Sequence, residues 1–212
     1  MTRVFLIHAL RESVQPINTA FDAHWPEADR ANLLDDSLSA DRARDGELTD
    51  AMIDRFLILG RYARDAGADA ILFTCSAFGP AIDAVAADLA PMPVHKPNSA
   101  MIDAALAHGG RIGLMASFAP TLQSMLPEFP DTTQIVTRHC AGALEALAAG
   151  NAAEHDRIAA AAAAESFGDC TLVALAQFSL ARAARAVGEA TGLPVLTTTE
   201  CAVLALRKQV EG

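Results

Sequence analysis

The sequence has few aromatic residues, few cysteines and no long apolar run. Phe, Tyr and Trp make up 5% of the 212 residues, with one Trp and one Tyr among them. The four cysteines form no CxxC pair, which favours reduced thiols over disulfides. The first apolar run, residues 4–10, is too short for a signal peptide or a membrane helix, and no later run reaches membrane-spanning length. These absences predict a cytoplasmic protein.

Basic residues are also scarce. The chain has 16 Lys and Arg against 26 Asp and Glu, a formal net charge of −10. Such a surface gains nothing from counterion release on nucleic acid and is not attracted to an anionic membrane. We therefore expect neither as a partner. A small anionic substrate, which contacts only its local site, is not excluded.

The common motifs for metals and nucleotides are missing. The six histidines give no HxH or HExxH spacing, so we expect no metal site. There is no GxxxxGK[ST], and no GxGxxG follows a predicted strand, so nucleotide binding has no support. Residues 74–79 also differ from the GxSxG turn of the α/β hydrolases.

Short apolar segments alternate with helical, Ala-rich segments along the whole chain. This alternation predicts an α/β fold with parallel sheets. The predicted strands are residues 3–9, 30–34, 70–73, 93–95, 111–116, 134–137, 171–176 and 194–196. The predicted helices are 13–23, 49–66, one beginning at 79–80, 99–107, a short one after 121, 140–164 with an interruption at 150–151, one ending at 190, and 200–210. Residues 35–38 read as a turn or loop.

The chain contains a faint internal repeat. Residues 69–76 align with 171–178, and each segment is followed by an Ala-rich helix and a Pro-Val pair. We predict two similar three-layer α/β lobes with parallel four-stranded sheets, related by a pseudo-two-fold axis. The first lobe comprises residues 1–97 plus 198–212 and the second 98–197, with the active site in the cleft between them. The alternative is that any two βαβ units look alike.

The centre of the first half is the segment around Cys75. It follows the apolar strand 70–73 and precedes a helix that begins near Gly79 and Pro80. Ligands bind at the carboxyl edge of open α/β sheets, and a helix N-terminus favours anions and lowers the pKa of a thiol. We interpret Cys75 as a reactive sulfur beside a carboxylate pocket. The alternative is a small buried residue that fills the sheet edge.

Four segments carry a family resemblance: residues 74–76, 111–117 with Thr121, 175–179, and 194–195. With these segments the chain resembles the aspartate/glutamate/hydantoin racemase superfamily. The resemblance implies a cofactor-free and metal-free enzyme in which two cysteines, one per lobe, flank the α-carbon of the substrate. Cys75 matches the first cysteine. Gln177 stands at the second position, and its amide cannot act as a base.

The resemblance also implies a pocket whose hydroxyls and backbone N–H groups hold the substrate carboxylate. The positions that match it are Thr74, Ser76, Ala77, Ser117, Thr121, Phe178 and Ser179. Taken singly, each hydroxyl is equally consistent with a turn or a helix cap. His8, at the end of the first strand, is a candidate replacement for the missing base, or simply a hydrogen-bonded histidine. Arg11 is a candidate partner for a carboxylate, or a solvated surface residue.

The resulting functional hypothesis is an isomerase, a racemase or epimerase, that acts at the α-carbon of a small amino or dicarboxylic acid through Cys75. Gln177 at the second cysteine position leaves open a single-cysteine decarboxylase, similar to the arylmalonate decarboxylases, or a cis-trans isomerase. A non-catalytic carboxylate-binding protein is the third reading. Apolar helix faces also predict self-association into a homodimer or a higher oligomer.

Overall fold

Eight strands form two parallel sheets of four in a computed structural model that describes residues 1–212. The strands are β1 (Arg3–His8), β2 (Asp29–Leu34), β3 (Ala70–Phe73), β4 (Val94–His95), β5 (Ile112–Ala116), β6 (Ile135–His139), β7 (Leu172–Leu175) and β8 (Val195–Thr197). The first sheet has the order β2-β1-β3-β4 and the second β6-β5-β7-β8. The two orders are identical, and this confirms the predicted fold of two similar parallel α/β lobes.

The inner strands are the continuous apolar runs of the sequence. In β3 and β7 every residue is buried, and they pair in parallel with β1 and β5. The outer strands β2 and β6 are only partly buried. Strands covered by helices on both faces need apolar side chains at every position, which is why these runs are not alternating.

Ten α-helices cover the sheets. They are α1 (Val14–His24), α2 (Ser37–Asp45), α3 (Asp50–Asp65), α4 (Gly79–Asp88), α5 (Ser99–His108), α6 (Ala119–Met125), α7 (Ala143–Ala148), α8 (Ala152–Ser166), α9 (Ala184–Thr191) and α10 (Thr198–Glu211). Local signals in the sequence place several of these boundaries. The Thr49 hydroxyl accepts a hydrogen bond from the Met52 N–H at the start of α3, and Gly67 follows that helix with φ +86°.

One element departs from the sequence prediction. Of residues 35–38, expected to form a turn, Ser37 and Leu38 are instead the first residues of α2, which is followed by Gly46 with φ +73°. The Asp35 carboxylate accepts a hydrogen bond from the Ser37 N–H just before the helix. Four of its nine residues are charged, and only Leu38, Ser39 and Arg42 are buried. A helix with so narrow an apolar face gives little periodicity to detect.

The last helix joins the two halves. Ala202, Val203 and Leu206 of α10 pack into the core of the first sheet, together with Phe21 and Trp25. Cys201, on the same helix, packs against the core of the second sheet. Because α10 contacts both cores, the domain boundaries stay a prediction. None of the ten helices is both long and apolar enough to cross a membrane.

Candidate active site

Cys75 lies two residues beyond β3, at the carboxyl edge of the first sheet. It precedes a 3-10 turn, Ser76–Phe78, which leads into α4 with Pro80 in the first turn of the helix. Its side chain is half-buried. Of the other cysteines, Cys140 and Cys170 are buried and Cys201 is half-buried in α10. Cys75 therefore lies at the carboxyl end of an inner strand, with the 3-10 turn between it and α4.

The prediction that the helix N-terminus lowers the pKa of Cys75 is wrong. Burial raises the pKa of the thiol to about 11. The Ala77 N–H, the Ser39 hydroxyl and the charge of Arg42 lower that pKa, but they do not outweigh the loss of hydration. The sequence shows that a helix N-terminus follows Cys75, but it does not show how deeply the thiol is buried. Cys75 is therefore a protonated thiol at neutral pH.

Gln177 lies two residues beyond β7, the position in the second sheet that corresponds to Cys75. Its Oε1 accepts hydrogen bonds from the backbone N–H groups of Ser117 at 2.5 Å and Phe118 at 2.9 Å. The Ser117 hydroxyl adds a third contact at 3.3 Å. Two backbone donors fix which end of the amide is the oxygen. The N–H groups expected to hold a substrate carboxylate at Ser117 therefore already have an acceptor.

The two loops that carry these residues touch each other. The Ser76 hydroxyl donates to the Ala176 carbonyl at 3.0 Å, across the boundary between the lobes. Phe178, expected in the substrate pocket, is instead buried in the core of the first lobe with Ile17 and Phe21. Ser76 and Phe178 thus join the lobes. Cys75 and Gln177, which directly precede Ser76 and Phe178 in the chain, therefore lie near the same junction of the lobes.

His8 is fully buried and hydrogen-bonded at both ring nitrogens. Nδ1 lies 2.9 Å from the Thr74 hydroxyl, and Nε2 lies 2.9 Å from Oδ1 of Asn32. Burial lowers the pKa of His8 to about 4, against the hydrogen bond to Asn32, which raises it. The ring is therefore neutral at physiological pH. With both nitrogens occupied, His8 orients Thr74 and has no free position for accepting a proton from a substrate.

The remaining predicted residues separate into two groups. The hydroxyls of Thr121 and Ser179 are fully buried and have no hydrogen-bond partner. Arg11 lies on the surface, where its guanidinium pairs with Asp36 at 2.7 Å and its side chain is 74% exposed. The structure therefore does not bring Arg11 to the predicted site.

A cavity of about 350 Å³ lies next to Cys75 at the lobe boundary. Ala77, Gly79 and Pro80 border it from the first lobe, and Gln123 and Ser124 from the second. Cys75 does not line the cavity, but its neighbours Ala77 and Arg42 do. The volume lies within the range of small-molecule pockets, about 300–1,000 Å³.

Arg42 is the residue of this cavity that sequence reasoning missed. It is 7% exposed, and its Nε and Nη1 are buried without a hydrogen-bond partner. The signals that could have found it are the capping residues Asp35 to Ser37, Gly46 nine residues later, and the i, i+4 spacing of Leu38 and Arg42. A helix predicted over this segment would have placed Arg42 on its inner face.

Three further charged residues face the cavity. Lys96 pairs with Asp83 at 3.0 Å. Glu128 accepts a hydrogen bond from the Asn98 amide at 2.6 Å, and its Oε1 lies beside Gly79 at the start of α4. Burial raises the pKa of Glu128. Because Lys96 and Glu128 already have partners, Arg42 is the cavity residue with unused hydrogen-bonding capacity and an unpaired charge.

Comparisons with known proteins identify the family and the fold. The family model for Asp/Glu/Hydantoin racemase matches residues 12–206. No curated protein matches the sequence significantly.

Solved structures of racemases share the fold over nearly the whole chain. Glutamate racemase from Thermus thermophilus, solved with beta-chloro-D-alanine, superposes with a TM-score of 0.76 at 20% identity and covers 99% of this chain and 80% of its own. Aspartate racemase from Picrophilus torridus gives 0.76 at 11% identity, with coverage of 100% and 95%. Allantoin racemase from Klebsiella pneumoniae gives 0.68 at 15% identity, with coverage of 100% and 88%. At these identities the likeness establishes the fold.

Proposed function

Because the chain belongs to the Asp/Glu/hydantoin racemase family, we propose that it is an isomerase that moves a proton at the α-carbon of a small carboxylate, with Cys75 as the acid/base group. The observation that supports this most directly is the position of Cys75, after the central strand of the first sheet and next to a cavity at the lobe boundary. As the family resemblance implies, the proposal involves no cofactor or metal.

The chemistry assigns a role to each group around the sulfur. Removal of an α-proton places negative charge on the substrate carboxylate, and hydrogen-bond donors stabilise that charge. The unpaired hydroxyls of Thr121 and Ser179, at positions that match the pocket of the family, are the candidates for this task. The Ala77 N–H and the charge of Arg42 stabilise the thiolate that forms when Cys75 gives up its proton. In racemisation this thiolate takes the α-proton from one face, and because Gln177 does not titrate, water returns a proton to the opposite face.

Proton exchange measured by NMR tests the proposal. Amino acids, dicarboxylic acids and hydantoins are incubated with the protein in heavy water, and loss of the α-proton signal is followed. We expect exchange with at least one of them, and at least a thousandfold loss of rate in Cys75→Ala because the acid/base group is absent. Cys201→Ala is the matched control, a half-buried thiol outside the site, and it should keep the rate. Wild-type exchange in Cys75→Ala would rule out the mechanism.

A second candidate, a decarboxylase, is favoured by two observations together. Cys75 is protonated at neutral pH, and Gln177 supplies no base on the opposite face. In this reaction the bond to a carboxyl carbon breaks, carbon dioxide leaves, and the electron pair stays on the α-carbon. The Cys75 thiol then donates its proton to that carbon and is reprotonated by water. A thiol that begins the cycle as an acid suits this sequence of steps.

The protonation state of Cys75 separates the two candidates. In a variant whose other three cysteines are replaced by serine, we expect alkylation by iodoacetamide to keep rising about tenfold per pH unit from pH 7 to 9, since the thiolate is the reacting form. A rate that levels off below pH 8.5 would show a resting thiolate and favour proton abstraction, hence racemisation. Carbon dioxide release from substituted malonates would identify the decarboxylase directly.

A further inference from the structure

Arg42 differs from the other cations around it in having no anion. Arg55 pairs with Asp35 and Asp41, and Lys96 pairs with Asp83. No carboxylate lies within ion-pair distance of Arg42, although only 7% of the residue is exposed. An unpaired buried charge is strongly unfavourable, so a guanidinium kept in this state needs a ligand that the chain itself does not supply.

The surroundings of Arg42 suit a small anion. The cavity is bordered by Gly79 and Pro80, the first residues of the ten-residue helix α4, whose free N–H groups and dipole favour negative charge. The two carboxylates that face the cavity are engaged, Asp83 by Lys96 and Glu128 by Asn98. The guanidinium offers a planar pair of donors, the geometry that matches a carboxylate.

The opposite side of the site is closed to such an anion. Gln177 Oε1 takes both backbone N–H groups at Ser117 and Phe118. A ligand carboxylate could reach these donors only if the Gln177 side chain moved out and lost three contacts. The position where the resemblance places the carboxylate is therefore filled by the chain itself.

From these observations we propose that a carboxylate of the substrate binds to Arg42 in the cavity next to Cys75, and not to the backbone of the Ser117 loop. This proposal adds to the proposed function and rests on it in one respect, because it takes the bound anion to be the substrate. The anion site itself is inferred from Arg42 and the cavity alone. It assigns Arg42 as the residue that selects an anionic group and fixes its direction relative to the sulfur.

Binding of malonate, measured by calorimetry, tests the site without requiring turnover. We expect millimolar or tighter binding to the wild type, at least tenfold weaker binding to Arg42→Met, and partial recovery in Arg42→Lys, which keeps the charge but not the paired donors. The neutral analogue malonamide should not bind. Arg44→Met is the matched control, since Arg44 lies on the same helix but is exposed and paired with Asp41 and Asp45.

Thermal unfolding gives a second readout with a definite sign. Without ligand, Arg42→Met should melt at or above the wild-type temperature, because it removes an unpaired buried charge. Malonate should raise the melting temperature of the wild type and leave that of Arg42→Met unchanged. A lower melting temperature for Arg42→Met would mean that the guanidinium serves the fold, and it would count against the site.

Further outcomes overturn the proposal and keep it apart from the proposed function. If Gln177→Glu abolishes malonate binding while Arg42→Met keeps it, the carboxylate binds at the Ser117 loop, where an internal carboxylate now competes. Failure of malonate, aspartate and phosphate to bind the wild type at millimolar concentrations would also overturn it. Turnover that survives Cys75→Ala would refute the cysteine mechanism while leaving an Arg42-dependent affinity intact.

Discussion

At the scale of single residues, Cys75 and Gln177 hold equivalent places after β3 and β7 and differ in what they can do with a proton. A cysteine exchanges one and an amide does not. The sequence could predict this asymmetry, since both positions follow apolar strands in a repeated pattern. It could not predict that Gln177 would bind the Ser117 and Phe118 N–H groups, or that burial would raise the pKa of Cys75, because both depend on distances between segments far apart in the chain.

His8 makes the stability of the protein depend on pH. Its pKa is lowered to about 4 in the folded protein, from about 6.5 in an unfolded chain, so the unfolded state binds more protons between these values. The contribution is complete above about pH 6.5 and is lost as the pH falls toward 4, a change of about 3 kcal/mol.

Urea unfolding of the wild type and His8→Gln at several pH values between 4 and 7.5 measures this contribution. Glutamine can contact both Thr74 and Asn32 but does not titrate. Subtracting the unfolding free energy of His8→Gln from that of the wild type at each pH removes the contribution of the carboxylates, which the two proteins share. We expect the wild type to lose its advantage steadily below pH 6.5. Two curves that fall in parallel would contradict the prediction.

At the scale of elements, the strands and the long helices follow from apolar runs and caps, and α2 does not. It has few apolar residues, and its position depends on α3, where Arg55 donates to Asp35 at 2.5 Å, Ser37 at 2.6 Å and Asp41 at 2.7 Å. These hydrogen bonds fix the helix that carries Ser39 and Arg42 beside Cys75. Ion pairs with a neighbouring helix do not appear as hydrophobic periodicity, so only the signals at the ends of α2 and the spacing of Leu38 and Arg42 remain in its sequence.

Replacing Arg55 with Met should therefore affect both stability and the site. We expect a loss of about 1–2 kcal/mol in the free energy of unfolding, because a partly buried network loses its shared cation. We also expect weaker malonate binding, because α2 loses its fixed position. Urea unfolding and calorimetry measure the two effects. Arg64→Met, on the same helix and paired only with its exposed neighbour Asp65, should change neither.

At the scale of the whole molecule, the lobes are joined by more than the chain that crosses between them. The C-terminal helix α10 packs on both cores, and the chain's one Trp, Trp25, lies in the same core as Leu206. The repeat in the sequence predicted the two lobes and their common plan but not these shared contacts. Self-association stays a prediction from the sequence.

The shared helix predicts cooperative unfolding of both lobes. Trp25 fluorescence, which reports the first lobe, and far-ultraviolet circular dichroism, which reports both, should give coincident transitions. Leu206→Ala should lower the stability by about 2–5 kcal/mol, because the fully buried side chain leaves a cavity, and should shift both signals together. Leu204→Ala, 46% exposed on the same helix, should have little effect. Two separate transitions would show that the lobes unfold independently.

The burial of Phe178 in the first-lobe core limits how far the lobes can separate to admit a ligand. Its ring belongs by sequence to the loop after β7 but lies in the first-lobe core, one residue away from Gln177. Swinging the lobes apart would have to withdraw that ring into water, at a cost of about 2–3 kcal/mol for the aromatic group alone. A ligand would therefore have to enter while the lobes stay in contact, so the size of an acid would limit its access before any chemistry takes place.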